Sequence, residues 1–223
     1  MKHLEWIETG DGSMTVRDVQ RDVTYRSTDG ARAEALHVFV EGTDVGMNPR
    51  CVLEFGFGLA TNFCLTATRH PTLDYFAVER APVDPEYVAG DGPAADFARD
   101  ALEQLHVYGS FEGALNGWRL SLVSDWRELS GVAAHSVYHD PFGPTVEPAS
   151  WSADVFAWEA GNLRTDGILG TYSAATSVRR AMASAGLCVS RVAGIGRKRE
   201  ITLAARDASV LKGKLISREK LLG

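Results

Sequence analysis

Residues 51–63 read CVLEFGFGLATNF, and this segment indicates the fold because it contains two secondary-structure elements and the turn between them. Cys51 to Phe55 is a short apolar run typical of a buried strand, and Leu59 to Arg69 predicts a helix. Gly56 and Gly58 lie between them, where the absence of side chains lets the backbone turn sharply and approach a ligand closely. This order of strand, glycine turn and helix predicts the start of an α/β sheet.

The alternation of strands and helices continues toward the C-terminus. Strands that alternate with helices form a mainly parallel sheet covered on both faces, so we predict an α/β fold of this kind. The further predicted strands are Leu73 to Glu79, Arg119 to Val123, Ser136 to Asp140, Gly167 to Tyr172, Cys188 to Val192 and Glu200 to Ala205. The further predicted helices are Pro93 to His106, Ala153 to Arg164 and a segment around Val178 that stops at Gly186.

The two ends of the chain depart from this alternation. Val23 to Ser27 and Ala35 to Val40 resemble two strands around the turn signal Thr28, Asp29 and Gly30, which predicts an N-terminal β-hairpin. The last residues are polar and are predicted as a tail. We therefore expect a β-hairpin extension over residues 1–45, the α/β domain over 46–206 and a basic C-terminal tail over 207–223.

Composition limits the class of protein. The chain has 223 residues, of which 45% are hydrophobic and 23% are charged, and this suits one α/β domain with additions. No stretch approaches the roughly 20 apolar residues of a membrane span, and the first residues lack the apolar core of a signal peptide. We therefore expect a cytoplasmic protein. Cys51, Cys64 and Cys188 have no C-x-x-C spacing, so we expect core residues and neither a disulfide framework nor a metal site.

Charge is distributed unevenly along the chain. The formal net charge of -6 counts by itself against a nucleic-acid partner. Residues 1–175 carry 12 Lys and Arg against 26 Asp and Glu, whereas residues 176–223 carry 11 against 3. The basic side chains of the last fifth include Arg179, Arg180, Arg197, Lys198 and Arg199. On charge alone, such a cluster is typical of a solvated face.

The glycine turn predicts a nucleoside-containing cofactor, although a G-x-G taken alone also fits a plain turn. Glu54, Gly56, Gly58 and Ala60 come close to the E-x-G-x-G-x-G pattern of S-adenosylmethionine (SAM) binding and match the dinucleotide pattern less well. Glu79 ends the next strand, near the place where an acid meets ribose hydroxyls in such folds. Asp125 follows a later strand and is suited to accept from an adenine amino group, although a plain surface-loop role fits it equally well.

The stretch HDPFGPT, residues 139–145, places one acid at a strand tip. Pro141 and Pro144 prevent a helix from starting there, so Asp140 faces a loop at the edge of the sheet where open α/β folds bind ligands. Asp140 could equally cap its own loop through backbone amides.

Four motifs together resemble one family: LEFGFGLATNF, HDPFGPTVEPASW, GTYSAATSVRRAMASAG and GIGRKRE. They are similar to the methyltransferase domain of the bifunctional tRNA wobble-uridine enzyme MnmC and its stand-alone relatives, over about Tyr25 to Ala205. The resemblance implies a Rossmann-like class I methyltransferase fold and SAM as cofactor. One departure is Ala60, which stands where the family's loop has glycine and would be strained if its φ were positive.

The resemblance also implies an activity. The family domain methylates the amine of 5-aminomethyl(-2-thio)uridine to the 5-methylaminomethyl form at the tRNA wobble position. The larger enzymes add an FAD-dependent oxidase domain that produces this amine, and 223 residues do not accommodate one. We therefore expect methylation alone here, with the amine supplied by a separate oxidase or another source.

Roles for individual residues follow from the same resemblance. Asp140 is expected to be catalytic, because it can orient the amine and receive its proton. Phe142 is expected to stack on the uracil, whereas Trp151 and His139 are expected in the core. The implied cofactor-binding residues are Glu54, Gly56, Gly58, Asn62, Glu79, Asp125 and Tyr25. Glu54 could act indirectly, by holding the loop or by pairing with the cationic end of the cofactor. Tyr25 and Ser27 match family positions near the cofactor, and burial would explain both equally well. The residues expected to meet anticodon-arm phosphates are Arg179, Arg180, Arg197, Lys198 and Arg199.

Two further functions fit the sequence. One is a SAM-dependent methyltransferase of a small amine, in which the basic residues are only a solvated surface. The other is a catalytically silent tRNA-binding protein of the same fold, made conceivable by the altered glycine loop.

Overall fold

The computed structural model describes residues 3–48 and 50–223. Its helices are α1 (Ala31–Ala35), which continues into a π-helical turn (Leu36–Val40), α2 (Thr61–Arg69), α3 (Pro93–Tyr108), α4 (Ala153–Asn162), α5 (Thr176–Ser184) and α6 (Arg218–Leu222). Its strands are β1 (Leu4–Glu8), β2 (Met14–Asp18), β3 (Val23–Thr24), β4 (Arg50–Phe55), β5 (Leu73–Val78), β6 (Ser110–Leu115), β7 (Trp118–Val123), β8 (Ala134–His139), β9 (Leu163–Thr171), β10 (Cys188–Ala193), β11 (Glu200–Ala205) and β12 (Lys214–Ile216).

The main sheet has the strand order β12-β10-β11-β9-β8-β4-β5-β7-β6. The five strands β9, β8, β4, β5 and β7 are parallel, and the strands outside them are antiparallel to their neighbours. After β4 the chain moves to β5 on one side, and β8 later returns to the other side of β4. The order therefore reverses between β4 and β8, and open α/β sheets bind ligands at the carboxyl ends of such strands.

Two apolar layers cover the faces of the sheet. Phe63, Tyr75 and Leu102 belong to the layer that contains α2 and α3. Phe156 and Met182 belong to the opposite layer, with α4 and α5. Burial on both faces explains why the central strands are nearly continuous apolar runs in the sequence. The parallel pairing of the five central strands confirms the predicted mainly parallel sheet.

The N-terminal extension contains a β-hairpin, but other residues form it. β1 and β2 pair antiparallel, and β3 adds a short third strand to them. Of the predicted hairpin only Val23–Thr24 is a strand, and the strand prediction for Ala35 to Val40 is wrong because this segment is helical. Ala31, Ala35, Val38 and Phe39 are buried at helical spacing, so burial along one face outweighs the β-propensity of Val and Phe.

The C-terminal residues are more ordered than a tail. β12 pairs antiparallel with β10, and α6 packs against α5. Leu221 is the buried residue of α6, and the Arg180 guanidinium donates to its carbonyl at 2.7 Å. β6, which the sequence pattern did not predict, lies at the other edge of the sheet and has only one buried residue, Phe111. Among the described residues, no helix combines the length and apolar character needed to cross a membrane.

Candidate functional site

A cleft of about 720 Å³ opens at the carboxyl ends of β4, β5, β7 and β8. This volume lies within the range of small-molecule and cofactor sites. Residues of the N-terminal extension form one wall of the cleft, and the loop that follows β8 forms part of another. The predicted site residues that line it are Tyr25, Gly56, Gly58, Glu79, Asp125, Asp140 and Phe142.

The glycine turn lies between β4 and α2, as the sequence predicts. Gly56 has a φ of +94° and Gly58 a φ of +52°, both in the region that favours glycine. A Cβ on Gly56 would lie 2.8 Å from the carbonyl oxygen of Asp140, so the turn and the tip of β8 are in close contact. The Gly58 amide donates to Glu79 Oε2 at 2.9 Å, which ties the turn to the end of β5.

Glu79 lies at the cleft with each carboxylate oxygen held by one backbone amide. Gly58 donates to Oε2, and Ala81 donates to Oε1 at 2.9 Å. Burial raises the pKa of Glu79, and these two hydrogen bonds oppose that rise. A carboxylate oxygen has two lone pairs, so Glu79 retains acceptor capacity for hydroxyl groups in the cleft.

Ala60 adopts the left-handed conformation, with φ 59° and ψ 16°, immediately before α2. It is fully buried, and it is not among the residues that line the cleft. Its methyl group therefore strains the backbone without narrowing the cleft. Glycine at this position would adopt the same conformation without strain.

Ala60→Gly is expected to raise the free energy of unfolding by about 1 kcal/mol, because glycine accepts the left-handed conformation. Ala157→Gly is the control, since Ala157 is exposed within α4, where glycine lowers stability by about 1 kcal/mol. Chemical denaturation of both variants measures the two effects. A loss of stability in both would contradict strain at Ala60.

Asp140 follows β8 directly and lies at the floor of the cleft. Its amide donates to the Phe55 carbonyl at 2.9 Å, which fixes the tip of β8 against β4. Its side chain is only 5% exposed, and its Oδ2 forms an ion pair with Arg26 Nη1. Burial raises the pKa of Asp140 to about 6, and the nearby Arg26 guanidinium opposes that rise.

Glu54 and Asn62 lie behind Asp140 and do not line the cleft. The Asn62 side-chain amide donates to Glu54 Oε1 at 2.6 Å and to Asp140 Oδ2 at 2.9 Å. The Tyr75 hydroxyl donates to Glu54 Oε2 at 2.7 Å. Burial, followed by the Asp140 charge, raises the pKa of Glu54 to about 8. Asn62 therefore holds Asp140 from inside the protein, and Glu54 holds Asn62. Direct contact of either residue with a cofactor would require it to move.

Two aromatic rings line the cleft beside Asp140. Tyr25 and Phe142 meet edge to face, with ring centroids 4.9 Å apart. Phe142 is half-buried, so part of its surface remains available to a ligand. Trp151 is 5% exposed, and its indole nitrogen donates to the Phe142 carbonyl at 2.7 Å. Trp151 thus supports the loop from the core.

His139 points to the opposite face of the sheet from Asp140. It is fully buried, and its Nδ1 lies 2.8 Å from Glu159 Oε1 on α4. The Phe55 ring stacks on it at a centroid distance of 5.6 Å. Alternation along β8 places these neighbouring residues on different faces, as the sequence predicts.

Asp125 lies at the cleft after β7 and caps a short 3₁₀ turn. Its Oδ1 accepts from the Arg127 amide at 3.0 Å, and its carboxylate also pairs with the Arg127 guanidinium. The Arg127 guanidinium lies 4.5 Å from the centroid of the Trp126 ring. Asp125 is 46% exposed, so it remains accessible from the cleft although it also has the local capping role.

The basic residues of α5 are engaged within the protein. Arg179 is buried, and its guanidinium donates to Thr202 Oγ1 at 3.0 Å and to Glu200 Oε2 at 3.1 Å. This arrangement disagrees with the predicted phosphate contact, because the groups that would bind a phosphate already hold α5 against β11. Arg180 is exposed but donates to the Leu221 carbonyl.

The basic residues of the loop between β10 and β11 differ among themselves. Arg197 pairs with Asp29 at 3.0 Å, yet its side chain is 89% exposed. Lys198 forms an ion pair with the buried Glu34 and is 33% exposed. Arg199 is exposed. The loop is thus docked on the N-terminal extension through two ion pairs, and Arg197 and Arg199 are the members that face solvent most freely.

Four arginines that the sequence did not predict as site residues line the cleft: Arg21, Arg26, Arg80 and Arg127. Arg80 follows Glu79 and pairs with Glu147 at 3.2 Å. Adjacency to a predicted site residue was an available signal for Arg26 and Arg80. Arg21 lies between the N-terminal strands, where the sequence carries no such signal. Among the residues that the structure describes, no group of three or more His, Cys, Asp or Glu could hold a metal ion.

Comparison with known sequences identifies a family of similar proteins. A family model described as S-adenosyl-L-methionine-dependent methyltransferase matches residues 120–207. The chain is 33% identical over 209 residues to the tRNA 5-methylaminomethyl-2-thiouridine biosynthesis bifunctional protein MnmC of Ralstonia nicotianae, covering 82% of this chain and 32% of that protein. It is 31% identical over 240 residues to the MnmC protein of Cupriavidus metallidurans, covering 96% of this chain and 35% of that protein. The chain thus spans about a third of the length of these relatives.

Solved structures are similar over nearly the whole chain. The crystal structure of MNMC2 from Aquifex aeolicus has a TM-score of 0.80 at 23% identity and covers 98% of this chain and 74% of that one. Spermidine synthase in complex with the transition state analogue AdoDATO has a TM-score of 0.59 at 13% identity and covers 98% of this chain and 80% of that one. These likenesses confirm the Rossmann-like class I methyltransferase fold.

Proposed function

Because the chain belongs to the S-adenosyl-L-methionine-dependent methyltransferase family of the MnmC methyltransferase domain, we propose that it methylates a tRNA wobble nucleoside. The proposed reaction converts 5-aminomethyl(-2-thio)uridine to 5-methylaminomethyl(-2-thio)uridine. The observation that carries the proposal is the Asp140 carboxylate at the floor of the cleft, beside the glycine turn. Another catalytic unit, such as an FAD-dependent oxidase, would form the amine beforehand.

The residues of the cleft fit SAM. A Cβ on Gly56 would meet the Asp140 backbone, and one on Gly58 would point toward the Tyr25 ring that lines the cleft. The acceptor capacity of Glu79 suits ribose hydroxyls. Asp125 is suited to accept from the adenine amino group. SAM, when bound, supplies an electrophilic methyl group.

The protein's own task is to orient an amine. Methyl transfer needs a neutral nitrogen lone pair held in line, so positioning contributes most of the acceleration. Asp140 would accept a hydrogen bond from an N–H of the amine and so orient the lone pair of the nitrogen. It would then receive or relay the proton that the nitrogen releases. Asn62 and Arg26 hold the carboxylate in place for this role.

The aromatic pair beside Asp140 suits a pyrimidine base. Enzymes that modify nucleobases take the base out of its stack and hold it against aromatic rings. Phe142 is half-buried in the cleft and braced by Tyr25, so it would stack on the uracil while the aminomethyl group reaches Asp140.

Contacts to phosphates would come from the exposed arginines of the loop between β10 and β11. Arg197 and Arg199 suit this role, and Arg180 is a further candidate on α5. Lys198 would support the loop through Glu34. We expect a local RNA contact, because most of the remaining charge of the chain is acidic.

Arg199→Glu is expected to weaken tRNA binding and to reduce the slope of log affinity against log salt by about 1, because one phosphate contact is lost. Arg164→Glu is the control, since Arg164 is exposed at the start of β9, at the end of the sheet opposite the cleft. Filter binding at several salt concentrations measures both variants. Equal effects of the two reversals would contradict a local contact at the loop.

Mass spectrometry of tRNA nucleosides from cells that lack this protein tests the proposed function. Accumulation of the 5-aminomethyl nucleoside with loss of its methylated form is the expected result. Unchanged nucleosides would contradict the proposal. Incubation with labelled SAM and either tRNA or small amines then distinguishes a tRNA methyltransferase from an enzyme that methylates small amines. No thermal shift with SAM or its demethylated product would instead indicate a catalytically silent binding protein.

A further inference from the structure

Arg26 is buried against the proposed catalytic carboxylate. Its side chain is 4% exposed, and its guanidinium forms the ion pair with Asp140. The Arg26 amide donates to Thr15 Oγ1 at 3.0 Å, so the backbone is anchored to β2. The guanidinium carbon lies 5.7 Å from the centroid of the Phe39 ring. The N-terminal extension thus delivers one fixed positive charge to the floor of the cleft.

The surroundings of Asp140 contain titratable groups from several elements. Besides Arg26, they come from α1, β4, the residue after β9 and the loop after β10. The titratable groups concerned are Glu34, Glu54, Tyr172 and Lys198, and Asn62 adds a hydrogen bond. Lys198 is paired with Glu34, which leaves Arg26 as the cation in direct contact with Asp140 among the described residues.

We propose that Arg26 is a positioning residue with two effects: it keeps Asp140 ionised, and it disfavours the cationic form of the substrate amine. This proposal rests on the proposed function. An ammonium group beside Asp140 would also face the Arg26 guanidinium, and two like charges a few ångströms apart repel strongly in a buried site. A neutral amine avoids this repulsion and can still donate an N–H to Asp140.

The ion pair between Arg26 and Asp140 meets two requirements of the reaction: an ionised carboxylate and a neutral amine. Without Arg26, the pair of Asp140 with an ammonium would stabilise the protonated amine, which has no lone pair to attack the methyl group. With Arg26 present, the negative charge of Asp140 is already compensated. The carboxylate remains a hydrogen-bond acceptor, because each of its oxygens has more than one lone pair.

Arg26→Gln is expected to shift the acid limb of the pH–rate profile to higher pH by about 1 to 3 units, the range by which a neighbouring arginine lowers a carboxyl pKa. Loss of the guanidinium raises the pKa of Asp140 and that of the bound amine, so both changes act in the same direction. The measurement is the single-turnover rate of methyl transfer to tRNA that carries 5-aminomethyl-2-thiouridine. Arg26→Lys retains the charge and should keep the limb near its original position at a lower rate.

Arg50→Gln is the matched control. Arg50 is also a buried arginine, with hydrogen bonds to the Val40 carbonyl at 3.0 Å and to Ser136 Oγ at 2.8 Å, and it does not line the cleft. This variant should lose thermal stability without moving the acid limb. An acid limb that stays in place in Arg26→Gln, or one that moves equally in Arg50→Gln, would overturn the proposal.

A second measurement does not depend on turnover. Carbon-13 NMR of protein labelled at aspartate carboxyl groups follows the ionisation of Asp140 directly, with Asp140→Asn used to assign its signal. The midpoint should lie at higher pH in Arg26→Gln than in the parent protein, and an unchanged midpoint would overturn the proposal. Absence of methylation by the parent protein at every pH would instead count against the proposed function.

Discussion

Asp140→Asn is expected to lower the rate of methyl transfer by about 10²- to 10⁴-fold, the usual contribution of a positioned acid–base group. Asparagine retains the shape of the side chain but lacks the negatively charged carboxylate that is proposed to accept the hydrogen bond from the amine. The proposed cofactor contacts at Gly58, Glu79 and Asp125 are unchanged by the substitution, so binding of SAM should change little. Single-turnover methylation and calorimetric titration with SAM measure the two quantities separately.

The same substitution leaves Arg26 buried without its partner. Breaking a buried ion pair from one side lowers the free energy of unfolding by about 3–5 kcal/mol, so the rates must be measured well below the unfolding temperature. Asp74→Asn is the control for loss of an aspartate–arginine ion pair outside the cleft. Asp74 on β5 pairs with Arg119, at the end of the strand opposite the cleft. Full activity of Asp140→Asn would remove this residue from the mechanism.

Gly56→Ala is expected to abolish measurable SAM binding and to destabilise the protein by about 2 to 5 kcal/mol. Its φ of +94° is unfavourable for alanine, and the new Cβ would lie 2.8 Å from the Asp140 carbonyl oxygen. The neighbour is backbone that is itself hydrogen-bonded to Phe55, so it cannot move aside without separating β8 from β4. Thermal unfolding and SAM titration measure the two losses.

Gly161→Ala is the control for this substitution. A Cβ at Gly161 in α4 meets nothing within 4 Å, and alanine stabilises a helix by up to about 1 kcal/mol relative to glycine. The two glycine substitutions should therefore have opposite effects on stability. Normal SAM affinity in Gly56→Ala would mean that the turn is not the cofactor-binding element.

Predictions from the sequence succeeded where a local pattern determines the structure. The strand, glycine turn and helix around Gly56 follow from residues that are adjacent in the chain, and so does the placement of Asp140 at a strand tip. They failed for Ala35 to Val40, where a β-like composition is overridden by burial along one helical face. The edge strand β6 was missed because only one of its side chains is buried, so its pattern does not alternate.

The alternating α/β architecture, the glycine turn and the acid at the end of β8 can be predicted from the sequence, because periodicity and turn chemistry are properties of neighbouring residues. Which side chains meet depends on the tertiary structure. It joined Arg26 to Asp140, placed Glu54 and Asn62 behind that carboxylate, and buried Arg179 against Glu200. Partners distant in the chain are brought together by the order of strands in the sheet, and buried charges must find such partners. No local pattern specifies that choice.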